Sequence, residues 1–337
     1  MIDGPGRVRV AEAPEPKVPG PGGAVVAVEA TAICGSDMHF YDGDIDLGMG
    51  IPVGHEFLGT VREVGSGVRR FRVGDRVLTA SVAGCGACDG CATGDPVRCV
   101  DGPQVFGSGM LPGGQATAVA VPAADFQLLA IPDGMDDEAA LLLTDNLATG
   151  WAGAQRAEIP PGGTVVVLGL GAVGLCAVRS ALVLGAARVL AVDPVAGRRD
   201  RAADSGAEPL DGPTVEAVLE ATGGRGADAV IDAVAHDATL DAALASVRPG
   251  GTVSVIGVHD LEPYPLPALM TLFRSVTLRM TTAPVHRTWR ELVPLVQYGR
   301  LRTDGIFTHE FALSEAGAAY AAVAERSAEC MKVLLRP

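Results

Sequence analysis

Aromatic side chains are scarce, at 4% of 337 residues, so the core must be built mainly from aliphatic side chains. Basic residues are outnumbered: the net charge is −14 and no stretch is rich in Lys and Arg. That excludes the electrostatic footprint of a nucleic-acid or anionic-membrane binder. The opening MIDGPGRVRV lacks the basic-then-apolar order of a signal peptide. The uncharged run 160–178 is crowded with glycine and ends at Arg179, which reads as a buried strand and turn rather than a membrane span. No repeat of solenoid period and no low-complexity linker interrupts the chain. A cytoplasmic protein with reduced thiols is expected.

What is present points to two domains. The length exceeds what one hydrophobic core usually serves, and 48% hydrophobic with 20% charged residues suits a compact fold. Residues 24–130 carry short β-rich runs (AVVAVEATAI, GTVREVGSGV, GDRVLTA, ATAVAVPAADFQLLAI) broken by Gly, Pro and Asp. This spacing predicts a strand-rich domain with hairpins and a partly open barrel. Near residue 147 the texture changes to alternating strands and helices: TVVVL, a glycine turn, a long apolar helix, RVLAV, then ADAVIDAV and PGGTVSVIGV. That alternation predicts a parallel sheet covered on both faces. After Ala283, TWRELVPLVQYG has helical periodicity and LSEAGAAYAAVAER offers Ser314 as an N-cap. The expected division is 1–146, 147–283 and a returning segment 284–337 that completes the first domain.

The turn Gly169-Leu170-Gly171-Ala172-Val173-Gly174 follows a strand and opens a helix, and a second strand ends at Asp193, 19 residues beyond Gly174. Glycines there let backbone approach a pyrophosphate at the helix N-terminus. Asp193 would accept hydrogen bonds from ribose hydroxyls and repel a 2′-phosphate, favouring NAD over NADP. Arg198 and Arg199 follow closely and could receive that phosphate.

Two sets of metal-ligating residues precede this block. Cys34 stands in AICGSDMHFY with Ser36, Asp37 and His39, and His55-Glu56 follows 21 residues after Cys34. Beside a nucleotide domain, Cys34 and His55 are candidate S and N ligands for zinc. The second set is CGACDGCATGDPVRC, spaced Cys85-x2-Cys88-x2-Cys91-x7-Cys99. It admits a disulfide knot, a catalytic metal site or a structural one. Reduced thiols argue against the knot. Four thiolates can close a tetrahedral shell with no open position, which suits a structural zinc. Cys176 reads as core packing, Cys330 stands near the tail apart from the other cysteines in sequence, and His236, His259, His286 and His309 read as surface or loop residues.

Together these motifs resemble the zinc-dependent alcohol dehydrogenases of the medium-chain dehydrogenase/reductase superfamily. Gly54-His55-Glu56 with Gly59, Gly65 and Val68, CGSD-x-H, the four-cysteine lobe and GLGAVG stand in the family's order along nearly the whole chain. One departure is the abrupt start before GPG, where members usually carry a short extra strand. The resemblance implies a doubly wound Rossmann domain inserted into a GroES-like catalytic domain with a structural-zinc lobe at 84–100. It implies two zinc ions per chain. Cys34, His55 and Asp145 match the catalytic-zinc ligands, Glu56 an intermittent fourth, and Asp37 the carboxylate that orients the ligating imidazole. It also implies hydride transfer between an alcohol and NAD, zinc acting as Lewis acid and the proton leaving through Ser36 and then His39. A polyol or sugar substrate fits the same motifs. A zinc-free quinone or enoyl reductase, or a non-catalytic nucleotide-binding protein, leaves Cys34, His55 and the lobe unexplained. Phe40, Tyr41, Trp151 and the loop DGDIDLGMG are candidates for lining a substrate pocket. The cysteine lobe is expected to serve in subunit contacts of a homo-oligomer, a tetramer rather than a dimer.

Overall fold

The structure, a computed structural model, describes residues 1–46, 48–212 and 214–337. The chain forms two compact units: Met1–Ala148 with Pro284–Gly299 and Thr303–Pro337, and Thr149–Ala283 with Arg300–Arg302.

The first unit is organised by the strand Ala24–Ile33, whose apolar run is buried at nearly every position. It pairs antiparallel with Glu56–Val64 along its length, with Ala118–Val121 over its first half and with Val333–Arg336 at its end. Register shifts at Val25/Val26 and Val28/Ala30 bend it, as bulges do where a strand changes partners. The resulting seven-stranded sheet runs His309–Ala312, Val333–Arg336, Ala24–Ile33, Glu56–Val64, Arg76–Thr79, Leu128–Ala130, with Ala118–Val121 branching from the central strand. One aliphatic core gathers Val26, Phe57, Val61, Val77, Phe106 and Leu128. The N-terminal residues contribute only isolated bridges, of Ile2 with Val8 and Ile51. A two-stranded ribbon, Val82–Ala83 with Gln104–Val105, frames the cysteine segment.

The second unit carries an all-parallel six-stranded sheet in the order Glu208–Pro209, Arg188–Val192, Thr164–Leu168, Ala227–Asp232, Val247–Val255, Thr277–Met280. Counted within the unit this is 3-2-1-4-5-6, the doubly wound order. TVVVL is buried at all five positions, as a central parallel strand covered on both faces requires. Gly169 adopts φ 81°, and a Cβ on Gly174 would lie 1.8 Å from the Gly169 carbonyl oxygen, so the helix Ala172–Val183 can start this close to the strand only with glycine there.

Two sequence expectations are corrected. Ser314 is not an N-cap: Leu313–Glu315 wind a 3-10 turn and Glu315 takes the position before the helix Ala316–Ala324. The longer Glu315 carboxylate accepts from the Ala312 N–H at 3.1 Å and so caps the turn instead. His286 is not a surface residue either. It lies buried in the helix Val285–Gln297, its ring stacked on Phe126 at 4.1 Å and its Nε2–H donating to Gln127 Oε1 at 3.1 Å. Gln127 in turn donates to the Ala80 carbonyl at 2.6 Å, which fixes its amide orientation.

Burial pushes the His286 imidazole down to about 3. The unfolded chain therefore binds a proton near pH 6.5 that the folded chain refuses, so stability is full above that pH and falls as pH drops toward 3. At pH 5 the loss should be about 2 kcal/mol relative to pH 8. Urea unfolding of His286→Gln should show a slope flattened by about one proton between pH 6.5 and 4; an unchanged slope would clear His286 of this role.

Candidate functional site

Strand register assembles the main cluster. Ala32 pairs with Glu56 and Ile33 with Val333, so Cys34, His55-Glu56 and Lys332 emerge at the same end of three adjacent strands. Asp145 precedes the helix Asn146–Arg156. Ligand atoms of Cys34, His55, Glu56 and Asp145 all lie within 4.8 Å of one another, the first three buried. His55 Nε2 faces Asp145 Oδ2 at 3.9 Å and Ser36 Oγ at 3.5 Å.

Each member is held from behind. His55 Nδ1 lies 3.3 Å from Asp37 Oδ1. Asp37 Oδ2 accepts from the Cys34 N–H at 3.0 Å and from Gln115 Nε2 at 3.2 Å. Burial alone would depress the His55 pKa, but Asp37 and Cys34 outweigh it and hold the ring well above its ordinary value. Glu56 is fully buried; its Oε1 accepts from Lys332 Nζ at 2.8 Å and from Asn146 Nδ2 at 3.1 Å. Burial raises the Glu56 carboxyl even against the pull of Lys332. For Lys332 burial works the other way, yet Glu56 and Cys34 prevail and lift it. Lys332 also donates to the Ile33 carbonyl at 3.3 Å and sits over the Phe307 ring.

These groups fit a divalent cation. Glu56 Oε2 and Asn146 Oδ1 are buried acceptors with no hydrogen-bond partner among the described residues. The carboxylates of Asp37, Glu56 and Asp145 and the Cys34 sulfur crowd one largely buried point, and a dication there would offset their negative charge and leave the imidazole neutral. One sulfur, one imidazole nitrogen and carboxylate oxygens form the mixed donor set that suits zinc.

His39, on the helix Gly35–Asp42, pairs with Asp44 at 3.0 Å. Asp42 faces Arg326 at 3.4 Å and Asp46 caps the Gly48 N–H at 2.7 Å, so the acids of the loop are locally engaged; Leu47 of that loop lies outside the described residues. Phe40 and Tyr41, partly buried, pack against the core cluster of Ile2, Met38 and Tyr320. Trp151 is buried in the second unit. Sequence reasoning missed Lys332, Asn146, Gln115 and Tyr320. The signal for Lys332 was a lysine, one of two in the chain, set directly before the apolar run VLL.

The four cysteines of the second cluster are unbridged, and their Sγ atoms also lie within 4.8 Å of one another. Backbone N–H groups of Cys85, Ala87 and Cys88 point at sulfur, at 3.3–3.5 Å. Backbone donors from Cys91 and Val100 pull the Cys88 thiol down to about 6, whereas burial pushes Cys91 up to about 12. A Cβ on Gly90 would lie 2.3 Å from the Arg98 carbonyl, and one on Gly84 2.6 Å from Cys91 Sγ, so glycine is needed to bring the thiols together. No catalytic base stands in this cluster.

In the second unit, Asp193 follows the strand Arg188–Val192 and is buried. Its Oδ2 accepts from the Leu170 N–H and its Oδ1 from the Val195 N–H, both at 2.8 Å, which ties it to the glycine turn. Arg198 Nη1 lies 3.8 Å from Asp193 Oδ2. Arg199 donates to the Asp193 and Pro194 carbonyls and pairs with Asp211 at 2.5 Å.

Comparison with known proteins gives this geometry its family. Residues 20–133 match the alcohol dehydrogenase GroES-like domain and residues 172–298 the zinc-binding dehydrogenase domain. A probable zinc-binding alcohol dehydrogenase of Mycobacterium tuberculosis is 60% identical over all of this chain and 88% of its own length. The chain belongs to the zinc-binding alcohol dehydrogenase family. It is similar also to an alcohol dehydrogenase of Cupriavidus necator, 33% identical over 99% of this chain and 96% of that one. A solved alcohol dehydrogenase from Thermus sp. ATN1 superposes with a TM-score of 0.91 at 36% identity, covering 99% of this chain and 98% of the other. This zinc-type dehydrogenase is thus an oxidoreductase with a GroES-like and a Rossmann domain.

Removing Lys332 should expose how much of the site rests on it. Lys332→Met leaves Glu56 buried without its cation and should cost about 3–5 kcal/mol in urea unfolding. Adding Glu56→Gln should return part of that loss, since a neutral amide no longer needs the ammonium; strictly additive losses would mean that the two do not act as a pair.

Proposed function

We propose that Cys34, His55 and Asp145 hold the catalytic zinc ion, with Glu56 as an intermittent ligand, that Cys85, Cys88, Cys91 and Cys99 hold a structural one, and that the enzyme oxidises an alcohol with NAD. The observation that carries this reading is the convergence of Cys34, His55, Glu56 and Asp145 donor atoms within 4.8 Å at a buried point. Bound there, zinc supplies a Lewis acid that acidifies an alcohol, and the dinucleotide supplies the hydride acceptor.

The chain's own residues do the rest. Asp37 orients His55, and Ser36 Oγ, 3.5 Å from His55 Nε2, stands where it can accept the alcohol proton. His39, paired with Asp44, is the residue through which that proton reaches solvent. In the nucleotide unit, Gly169, Gly171, Ala172, Val173 and Gly174 offer backbone N–H groups and the helix N-terminus to the pyrophosphate. Each Asp193 oxygen accepts one backbone N–H and retains a lone pair for a ribose hydroxyl. A 2′-phosphate would meet that carboxylate, and Arg199 is committed to backbone carbonyls and Asp211. Arg198 remains beside Asp193 as an adenosine-ribose neighbour. These features favour NAD.

We infer further that the protein is a homo-oligomer, a tetramer rather than a dimer, in the cytoplasm, where seven unbridged cysteines would stay reduced. Thr277–Met280 ends the parallel sheet with one edge unpaired among the described residues, and Leu269, Met270, Leu272, Phe273 and Met280 nearby are exposed. A second copy presenting the same edge would cover this surface, since an open edge pairs readily with its own copy. The cysteine lobe is then left for a second contact.

Metal analysis should find two zinc ions per chain, falling to one in Asp145→Ala with turnover reduced at least about 100-fold; unchanged zinc and turnover would remove Asp145 from the shell. A panel of alcohols, polyols and aldehydes with NAD and NADP, followed by absorbance of the reduced cofactor, should show activity with NAD, and Asp193→Ala should narrow the preference. Activity with NADP alone would overturn the cofactor assignment. Leu272→Glu combined with Phe273→Glu should halve the assembly in sedimentation; an unaltered mass would place the interface elsewhere.

A further inference from the structure

Behind the imidazole of His55 runs a chain of polar groups longer than its carboxylate partner requires. Asp37 Oδ1 faces His55 Nδ1 at 3.3 Å and has no hydrogen-bond partner among the described residues. Asp37 Oδ2 takes the Cys34 N–H and the amide of Gln115 at 3.2 Å. Gln115 Nε2 also donates to the Ala32 carbonyl at 3.3 Å, and Gln115 Oε1 accepts from the Tyr320 hydroxyl at 2.9 Å. Tyr320 is fully buried on the helix Ala316–Ala324, far along the chain from both metal-ligating motifs.

We propose that Gln115 and Tyr320 are positioning residues for the catalytic metal, setting through Asp37 which nitrogen of His55 turns its lone pair toward the cation that Cys34 and Asp145 would share.

The argument rests on which groups can donate. A backbone carbonyl only accepts, so the Gln115 nitrogen must face Ala32 and its oxygen must face Tyr320. The Tyr320 hydroxyl then has one role, to donate. With the amide so oriented, two N–H groups converge on Asp37 Oδ2, and Asp37 is an acceptor on that side. As a carboxylate Asp37 only accepts, so its remaining oxygen completes the contact with His55 by accepting from Nδ1–H. The tautomer with hydrogen on Nδ1 leaves the Nε2 lone pair free, and Nε2 is the nitrogen that faces Asp145 and Ser36. Were the Tyr320 hydroxyl missing, the amide would lose the partner that its oxygen needs. Flipping would then set two acceptors against each other at Asp37.

The same glutamine also shapes the backbone that delivers the ligand. Gln115 N–H donates to the Val53 carbonyl at 3.1 Å, and Gly114 N–H to the Gly54 carbonyl at 2.7 Å, bracketing the residue before His55. Gly54 adopts φ 96°, and a Cβ there would lie 2.5 Å from Gln115 Cγ. One side chain thus sets both the path of the backbone into His55 and the polarity of the group behind its ring.

The proposal rests on His55 and Cys34 as metal ligands, and the experiment separates the two failures. Zinc affinity of the full-length enzyme is measured by competition with a chromophoric chelator, the four-cysteine lobe serving as internal reference. Cobalt substitution adds the visible absorption of the mixed-donor site as a second readout. Tyr320→Phe keeps the ring packed against Tyr41 and should weaken the catalytic site about 10-fold. Gln115→Met, similar in size, should weaken it up to about 100-fold and shift the cobalt spectrum. The double variant should lose no more than Gln115→Met, because Tyr320 acts only through the amide. Unchanged affinity in Tyr320→Phe, or losses that multiply in the double variant, would overturn the proposal, and the first of these decides even where Gln115→Met does not fold. Cys34→Ser should lose one zinc of two; two zincs retained there would instead unseat the ligand assignment on which the proposal stands.

Discussion

Three strands and one register decide where chemistry can occur in this enzyme. Ala32 opposite Glu56 and Ile33 opposite Val333 place the residue after one strand and the residues before two others at a common end of the sheet. Cys34, His55 and Lys332 are those residues. Because strand side chains alternate with a period of two, a slip of one residue in either pairing would turn Glu56 or its neighbours to the opposite face and scatter the cluster. The apolar faces on both sides of Ala24–Ile33 hold that register, so ligand geometry is a consequence of aliphatic packing around the central strand.

Packing alone does not explain the buried ammonium. The chain has only two lysines, Lys17 and Lys332, and one of them is almost wholly enclosed. A buried cation is costly unless paired. Lys332 is paired with Glu56, capped by the Ile33 carbonyl and seated over Phe307. Glu56 divides its oxygens: Oε1 is bound to Lys332 and Asn146, while Oε2 has no such partner among the described residues. That asymmetry lets one carboxylate be anchored to the protein and still approach a metal. The lysine therefore fixes one oxygen of Glu56 in place, and the enclosure that makes the pair costly also makes it sensitive to loss of either partner.

What the sequence made legible was whatever is encoded at short range. The four-cysteine spacing, His55-Glu56, and GLGAVG before a helix are local patterns, and so are TVVVL and RVLAV, whose unbroken apolar runs announce buried parallel strands. Lys332, Gln115 and Tyr320 were not legible, because each acquires its meaning from a partner between 78 and 276 positions away. His286 failed for the same reason: nothing around it in sequence announces Phe126 stacked on its ring. Ser314 failed differently. Its hydroxyl is a suitable cap, but the neighbouring Glu315 reaches the same backbone through a 3-10 turn.

The glycines of the family signature show how a motif can read as chemistry while being enforced by packing. A Cβ on Gly59 would lie 1.9 Å from the Ala27 carbonyl oxygen, and one on Gly65 2.2 Å from that of Pro21. Neither residue touches the metal cluster. Both let Glu56–Val64 and the turn after it press against the central strand and its entry, which keeps Ala32 opposite Glu56. Gly54 does the corresponding work on the other side, making room for Gln115. The spacing Gly54-His55-Glu56…Gly59…Gly65 therefore records two demands at once: two donor groups for a cation, and three places where backbone must come closer than any side chain permits. A substitution at Gly59 would act on the metal site without altering a ligand, by loosening the register that brings Cys34 and His55 together.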